Sequence, residues 1–227
     1  MFELHFLGRG AAFFPAFKNT NAFFEIGKDI FFLDFGETAF ETVAKNLPLA
    51  EYEHIYVFLT HMHADHSGSL SSFVSYLACV LHKKPMIIHP ENTVLQLLTT
   101  QGIDSDYYQY APSLSEVDGI TFKFIPVQHA VDMRSYGILL TYQGETIYYS
   151  GDSAKLPESV LSGFLNGSIS HIYHDTASHP SEFHCYYKNL AEAIPLEQRH
   201  RVSCMHLDCD MEAMLRELGF DVVSCAF

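Results

Sequence analysis

The chain has 227 residues, of which 48% are hydrophobic and 18% are charged, and its formal net charge is −14. A chain of this size and composition can bury an adequate core without disulfide support, which excludes the disulfide-rich miniproteins and the disordered class. The acidic balance argues against non-specific affinity for nucleic acid or an anionic membrane, because both partners are themselves negatively charged.

Hydrophobic periodicity predicts an alternation of strands and helices along the whole chain. In chain order we expect strands at 4–7, 22–26 and 30–33, a helix at 38–47, a strand at 54–59, a helix at 70–81, a strand at 86–89, a helix at 91–100, a strand at 120–127, a hairpin of 136–142 with 146–150, a helix at 156–165, a strand at 169–173, a helix at 186–193, a strand at 201–205, a helix at 211–218 and a strand at 220–224. The sequence has no internal repeat and no Pro/Gly/Ser-rich linker, so we expect a single domain over residues 1–227. Strands and helices mixed in both halves predict an α/β (α+β) fold with helices on the outside of sheets.

The cysteines and the N-terminal residues indicate the cellular compartment in which the protein is expected. Five cysteines with no CxxC pair are typical of free thiols in a reducing compartment and argue against a cysteine-based zinc site. Apolar runs stay below the roughly 18 residues that a membrane span needs. Residues 1–7 lack the basic segment and cleavage site of a secretory signal and are better interpreted as the start of a first strand. We therefore expect a cytoplasmic protein with no membrane partner.

Four potential metal ligands lie within six residues, directly after one predicted strand and before a long predicted helix: His61, His63, Asp65 and His66. At a tight strand-to-helix turn, the alternate residues His61 and His63 can point the same way, while Asp65 and His66 follow on the first turn toward a second position. One loop can thus supply ligands to each of two cations about 3.5–4 Å apart. Imidazole and carboxylate together suit zinc, manganese or iron, and the lack of thiolates argues against a soft-metal site.

The segment 61–66, followed by Ser67-Gly68, closely resembles the HxHxDH motif of the metallo-β-lactamase-fold superfamily. The resemblance implies a four-layer αββα sandwich of two mixed β-sheets with a dinuclear site at one edge. It also implies a metal-dependent hydrolase in which two divalent metal ions, zinc with manganese or iron as alternatives, activate a bridging hydroxide.

The remaining motif positions of the superfamily occur in order along the chain. His129 lies just past the strand at 120–127, Asp152 ends an apolar strand in a Ser-Gly-Asp turn, and His206 follows the strand at 201–205. The resemblance implies that Asp152 bridges the two cations, since a carboxylate has two oxygens. His200 competes with His206, but it precedes the strand. The implied ligands are His61, His63, Asp65, His66, His129, Asp152 and His206, and both Asp65 and Asp152 would also orient the hydroxide.

Two departures from other branches of the superfamily favour the hydrolysis of phosphodiesters or other esters. Members that reduce oxygen or nitric oxide carry a glutamate at the position of His63. Two-zinc β-lactamases commonly carry a cysteine at the position of Asp152. The residues that resemble ribonuclease Z and its smaller phosphodiesterase relatives are Asn19-Thr20-Asn21, Asp34-Phe35-Gly36-Glu37 and His174-Asp175-Thr176.

That closer resemblance implies roles for residues outside the ligand set. Asp34 would brace the ligand loop, although an ordinary helix N-cap is an alternative for it. In ribonuclease Z the acid of the last motif pairs with a later histidine near the scissile phosphate. The resemblance therefore implies that Asp175 orients His184 as a catalytic acid, with His179 as the alternative histidine. Both Asp175 and His184 could instead line a surface loop.

The sequence carries no basic, Gly/Pro-rich insertion that could grip tRNA, so tRNA or another nucleic acid is not the expected partner. We expect a phosphodiesterase that acts on a small-molecule substrate, namely a small phosphodiester such as a cyclic nucleotide. The alternatives are hydrolysis of a carboxylic ester, lactone or thioester at the same site, and a metal-binding module without catalysis. Aromatic runs at 13–17, 107–110 and 186–187 could line a pocket, a homodimer contact or the core.

Overall fold

The computed structural model describes residues 3–227, so Met1 and Phe2, which belong to the segment without signal features, lie outside the described residues. Residues 3–227 contain thirteen β-strands, seven α-helices and three short 3-10 helices. The strands are β1 (His5–Gly8), β2 (Asn21–Ile26), β3 (Asp29–Leu33), β4 (His54–Phe58), β5 (Met86–Ile88), β6 (Gln109–Ala111), β7 (Glu116–Val117), β8 (Ile120–Val127), β9 (Ser135–Tyr142), β10 (Glu145–Tyr149), β11 (His171–Asp175), β12 (Val202–Met205) and β13 (Asp221–Val222). The helices are α1 (Ala39–Asn46), α2 (Ala64–Ser67), α3 (Leu70–Cys79), α4 (Thr93–Thr100), α5 (Glu158–Leu165), α6 (Tyr187–Ala193) and α7 (Glu212–Glu217), and the 3-10 helices are Pro15–Phe17, Ser105–Tyr107 and Leu196–Arg201.

The strands form two mixed sheets. The first has the order β1-β2-β3-β4-β5-β6, with antiparallel pairing up to β3 and parallel pairing beyond it. The second has the order β13-β12-β11-β10-β9-β8-β7, with parallel pairing from β13 to β10 and antiparallel pairing beyond it. The expected α/β arrangement of mixed sheets is confirmed.

Side-chain alternation along β3 shows how the layers pack. Ile30 and Phe32 lie in a core with α1, α3 and α4, whereas Phe31 and Leu33 lie in a core shared with strands of the second sheet, such as Phe122 of β8. Successive side chains of a strand point to opposite faces, so a strand buried on both faces is apolar throughout. All five residues of β3 are buried, and the four that follow Asp29 are apolar for this reason.

The outer face of the second sheet carries the other helical layer. Val160 of α5, Leu190 of α6 and Leu215 of α7 are buried together against that face. The layers therefore follow the order helices, sheet, sheet, helices, which is the predicted αββα sandwich.

Most predicted elements are present, with ends displaced by a few residues. β6, β7 and α2 were not expected, since strands of two or three residues and a four-residue helix are too short to show a period. The strand predicted at 169–173 begins at His171 and ends at Asp175, which puts Asp175 at a strand end. In the aromatic run 107–110, Tyr108 is buried in the core, whereas Phe13 of the run 13–17 is exposed.

The topology brings the carboxyl ends of several strands to one edge of the sandwich. β10, β11 and β12 are parallel, and β8 runs the same way because both β8 and β10 are antiparallel to β9. Ligand sites in sheets of this kind lie beyond the carboxyl ends of the strands. The residues just past these ends in the two sheets include Asp34, His61, His129, Asp152 and His206. Within residues 3–227, no helix is long and apolar enough to cross a bilayer.

Candidate metal centre

The turn from β4 into α2 positions the first four candidate ligands. His63 has an extended backbone (φ −62°, ψ 154°) just before α2, so the chain turns sharply between His61 and Asp65. The loop after β3 packs directly on this turn, where the Phe35 amide donates to the His66 carbonyl at 2.7 Å. Only a glycine fits at position 36, because a Cβ there would lie 1.8 Å from the Asp65 carbonyl oxygen. The Asp-x-Gly turn is therefore a packing requirement of the ligand loop.

One group of donor atoms comes from His61, His63, His129 and Asp152. His63 Nδ1 lies 3.0 Å from His61 Nε2 and 3.2 Å from His129 Nε2. Asp152 Oδ2 lies 3.5 Å from His129 Nε2 and 3.9 Å from His61 Nε2. The donor atoms of these four residues all lie within 4.8 Å of one another, so one metal ion could contact all of them.

A second group comes from Asp65, His66, His206 and again Asp152. Asp65 Oδ2 lies 3.2 Å from both His66 Nε2 and His206 Nε2. The other oxygen of Asp152, Oδ1, lies 3.0 Å from His66 Nε2 and 3.3 Å from His206 Nε2. The two oxygens of one carboxylate thus belong to two different donor groups.

These residues fit a pair of divalent ions. A tetrahedral site with bonds of about 2.0–2.2 Å separates its donors by about 3.3–3.6 Å, close to the separations found here. His66 Nε2 and Asp152 Oδ1 are buried and, within residues 3–227, make no hydrogen bond of acceptable geometry. Buried polar atoms are seldom left unpaired, and metal coordination would satisfy both. The structure brings together all seven ligands that the sequence predicts, and their assignment as ligands stays a proposal.

Outer hydrogen bonds hold the imidazoles in orientations suited to coordination. Asp34 Oδ2 accepts from His66 Nδ1 at 2.8 Å, which leaves Nε2 for the second donor group. Thr60 and Tyr149 also bond to the Asp34 carboxylate. The N-cap of α1 is Thr38, so Asp34 braces the ligand loop and does not cap the helix. Its backbone is in the left-handed region (φ 64°), a strained conformation that recurs at functional sites.

Burial favours the neutral form of two of the imidazoles. Removal from water lowers the pKa of His61 well below its ordinary value, and the nearby His66 lowers it further. Burial likewise lowers the pKa of His129. A neutral imidazole is the form that binds a metal ion, so the direction of both shifts favours coordination.

Asp175 and His184 lie beside the second donor group, and with Asp152 and His206 they form a third cluster whose donor atoms lie within 4.8 Å of one another. His184 Nδ1 lies 2.8 Å from Asp175 Oδ2, and the other Asp175 oxygen lies 3.4 Å from His206 Nδ1. Burial alone would lower the pKa of His184, but the hydrogen bond to Asp175 raises it above its ordinary value. His179 pairs instead with Asp208 and is 70% exposed. Of the two histidines that the sequence left open, His184 is the one next to the donor groups.

A cavity of about 860 Å³ opens above the donor atoms. Its lining is largely apolar and includes the side chains of Phe13 and Val131, which are 99% and 93% exposed. Among the described residues, the lining contains no lysine or arginine. Apart from the donor residues, the lining includes Phe13, Phe14, Val131 and Phe183, with the carboxylates Glu37, Asp132 and Asp208.

Sequence reasoning missed two groups that support the site. Thr60 Oγ1 lies 3.0 Å from His61 Nδ1 and bonds to Asp34. Because Thr60 directly precedes the histidine motif, its sequence position could have indicated this supporting role. The carbonyl oxygen of Phe183 accepts from His129 Nδ1 at 2.9 Å. A backbone carbonyl leaves no trace in the residue type, so the sequence carried no signal for it. His200 lies at the opposite end of the second sheet, in the 3-10 helix before β12, as its sequence position implied.

Known proteins resemble the chain in fold and in sequence. A diphosphatase of the PhnP family superimposes with a TM-score of 0.75 at 16% identity, with 99% of this chain and 94% of that one covered. The short form of human tRNase Z gives a TM-score of 0.71 at 16% identity, with 99% and 96% covered. A metallo-β-lactamase-fold protein, YhfI of Bacillus subtilis, gives a TM-score of 0.77 at 12% identity, with 99% and 97% covered. These likenesses show the fold, and the expected metallo-β-lactamase fold is confirmed.

The sequence comparisons are more specific. The Anti-Pycsar protein Apyc1 of Paenibacillus harenae is 25% identical over 220 residues, which cover 90% of this chain and 89% of the relative. The family model described as Anti-Pycsar protein Apyc1 matches residues 2–223, nearly the whole chain. The chain is therefore a metal-dependent hydrolase of the metallo-β-lactamase fold, and it belongs to the family described as Anti-Pycsar protein Apyc1.

Proposed function

We propose that this chain is a two-metal phosphodiesterase that hydrolyses a small, singly charged phosphodiester such as a cyclic nucleotide. One observation carries the proposal: the two oxygens of Asp152 belong to two donor groups, and a His–Asp pair lies beside them. Phosphodiester hydrolysis needs charge stabilisation at the phosphoryl oxygens and a proton for the departing alkoxide. This arrangement offers groups for both.

The seven residues would hold two divalent ions, for which zinc is the proposed metal. Manganese and iron bind to similar sets of ligands and are the alternatives. When bound, such a pair supplies Lewis-acid stabilisation of developing charge and a solvent nucleophile at neutral pH. Asp34 and Thr60 keep two of the imidazoles aimed at the donor groups, through His66 Nδ1 and His61 Nδ1. The protein's contribution is thus a rigid, preorganised set of donors.

The chain's own acid–base groups would act on either side of the phosphorus. The Asp65 carboxylate would accept a hydrogen bond from the attacking solvent and so orient it. On the leaving-group side, His184 would donate its proton from Nε2, while Nδ1 stays bonded to Asp175. Asp175 is fully buried and also accepts the Ser153 amide at 3.0 Å, so its carboxylate cannot swing away from His184.

The cavity favours a small monoanion over a polyanion. Nucleic acids are held through many contacts from lysine and arginine to phosphates, and the described lining has neither residue. The carboxylates of Glu37, Asp132 and Asp208 would repel additional phosphates at the mouth. An exposed aromatic ring such as Phe13 is suited to stack on a nucleobase. A cyclic mononucleotide combines one negative charge with one base.

Metal analysis and a substrate panel test the proposal. Purified protein reconstituted separately with zinc, manganese and iron is assayed on bis(4-nitrophenyl) phosphate, cyclic 3′,5′-nucleotides, and an ester, a lactone and a thioester. We expect two ions per chain and hydrolysis of the cyclic nucleotides. Less than one ion per chain would contradict the dinuclear site.

The panel also separates the alternatives. Turnover of the carbonyl substrates without the phosphodiesters would favour an esterase-type hydrolase. Bound metal without any hydrolysis would favour a metal-binding module. The homodimer stays a prediction, which sedimentation velocity measures directly.

A further inference from the structure

The loop between β11 and α6 contacts the metal centre at two consecutive residues. The Phe183 carbonyl accepts from Nδ1 of His129, a member of the first donor group, at 2.9 Å. The next residue, His184, bonds through its side chain to Asp175 at 2.8 Å. The position of one short stretch of loop therefore affects both a metal ligand and the acid of the proposed function.

The base of this loop is pinned by its own backbone. The Ala177 amide donates to the Cys185 carbonyl at 2.8 Å, and the Tyr187 amide donates to the Ala177 carbonyl at 3.0 Å. At the start of the loop, Asp208 accepts a hydrogen bond from the Ser178 amide at 3.1 Å. These bonds hold the start and the base of the loop, and none of them restrains the peptide between Phe183 and His184.

Ser181 supplies that restraint. Its Oγ accepts hydrogen bonds from the amides of Phe183 at 3.0 Å and His184 at 3.2 Å. The Phe183 carbonyl and the His184 amide belong to the same planar peptide group, and in a trans peptide they point in opposite directions. When Ser181 holds the amide on one side, the carbonyl is directed to the other side, where His129 lies.

Packing of the Phe183 side chain restrains this orientation only in part. The Phe183 side chain is 43% exposed at the mouth of the cavity. A half-exposed ring restrains its backbone weakly, because much of its surface has no packing partner. The two hydrogen bonds to Ser181 thus restrain the amide side of the peptide plane, opposite the bond from the Phe183 carbonyl to His129.

We infer that Ser181 is a positioning residue that sets His129 for metal binding and His184 for proton donation through a single peptide plane. The His184 half of this inference rests on the proposed function, whereas the His129 half concerns metal affinity alone. Outer hydrogen bonds to metal-binding histidines typically change affinity or activity by about 10–100-fold when removed. Ser181 is separated from His129 by one further peptide group, so we expect an effect at the lower end of this range, about tenfold.

Three variants test the inference: Ser181→Ala, which removes the acceptor, Ser181→Thr, which keeps it, and Asn166→Ala as a matched control. Asn166 caps the Ser168 amide in another turn at 3.0 Å, and it is not among the described residues that line the cavity. Metal affinity is measured by competition with a chromophoric chelator. Hydrogen exchange of the peptide 177–186 is followed by mass spectrometry with and without zinc.

Ser181→Ala should weaken metal binding about tenfold and speed exchange at the Phe183 and His184 amides. It should also reduce the rate on a cyclic nucleotide more than on bis(4-nitrophenyl) phosphate, whose leaving group needs no proton. Ser181→Thr should restore all three properties, and Asn166→Ala should match the wild type. Unchanged metal affinity in Ser181→Ala would overturn the inference. If the wild type hydrolyses no phosphodiester, the proposed function fails, and the affinity and exchange measurements still decide the role of Ser181.

Discussion

His184 donates its Nδ1 hydrogen to Oδ2 of Asp175 across 2.8 Å, and Asp175 itself is fully buried. The bond fixes the imidazole ring, which leaves Nε2 as the atom that can reach a substrate in the cavity. A buried carboxylate that orients a histidine in this way is a recurring device for general acid–base catalysis. It follows that removal of the imidazole should matter most when the leaving group needs a proton.

We therefore expect His184→Ala to lower kcat for a cyclic nucleotide by about 10²–10⁴-fold, the usual contribution of a positioned acid. The loss on bis(4-nitrophenyl) phosphate should be far smaller, since nitrophenolate leaves without protonation. His179→Ala is the control, because His179 is exposed and bonds to Asp208. Equal losses of His184→Ala on both substrates would remove His184 from the acid role.

Removal of the shared carboxylate should affect both metal ions at once. In Asp152→Ala each donor group loses one of its four donors, and the two groups lose their common link. We expect metal content to fall from two ions to one or fewer per chain, and kcat to fall by at least about 10²-fold. Elemental analysis after dialysis gives the content. Asp132→Ala, at the mouth of the cavity, should retain both ions.

The exposed ring at the mouth should affect substrate binding and leave folding unchanged. Phe13 is 99% exposed, so Phe13→Ala removes no core contact, and the melting temperature should stay the same. Stacking on a base contributes about 1–3 kcal/mol, which predicts a KM at least about fivefold higher for a cyclic nucleotide. Leu196→Ala is the control, since Leu196 is 66% exposed and is not among the described lining residues. An unchanged KM in Phe13→Ala would exclude stacking on this ring.

Acid should destabilise the fold through a histidine far from the metal centre. Burial lowers the pKa of His171, in β11, from its ordinary value of 6.5 to about 4, and its Nε2 lies 2.9 Å from Ser203 Oγ. The unfolded chain binds this proton more readily than the native chain, so stability is lost as pH falls from 6.5 toward 4. The loss approaches about 3 kcal/mol, an upper limit because the ring is only partly buried.

His171→Gln removes that titration. Denaturant unfolding at pH 7 and pH 4.5 should show a smaller stability difference between the two pH values than in the wild type. Other titrating groups are common to both proteins and cancel in the comparison. The same difference in both proteins would show that His171 does not contribute to acid sensitivity.

The order of elements was predictable because each long element has its own hydrophobic period. The run Leu70, Phe73, Val74 and Leu77 is buried in the structure as the helical spacing predicted. β6 and β7 were not predicted because two or three residues are too few to show a hydrophobic period. These strands form by pairing with β5 and β8, respectively. Pairing with a neighbouring strand, rather than a hydrophobic period of their own, therefore decided those elements.

Sequence by itself determined the local part of the site. The close spacing of His61, His63, Asp65 and His66 limits these side chains to one turn, because successive residues cannot separate by more than a few ångströms. The tertiary structure decided everything that depends on convergence. It divides the oxygens of Asp152 between two donor groups, and it brings Asp175 to His184 rather than to His179.

The physical reason lies in the range of the interactions. A motif within six residues is set by bond lengths and backbone dihedrals, which the sequence specifies locally. The approach of β4, β8, β10 and β12 at one edge depends on strand register and on the packing of two sheets through their shared core. The hydrogen bond from His129 to the carbonyl of Phe183 depends on the tertiary structure alone. Every residue has a carbonyl, and only the fold determines where it points.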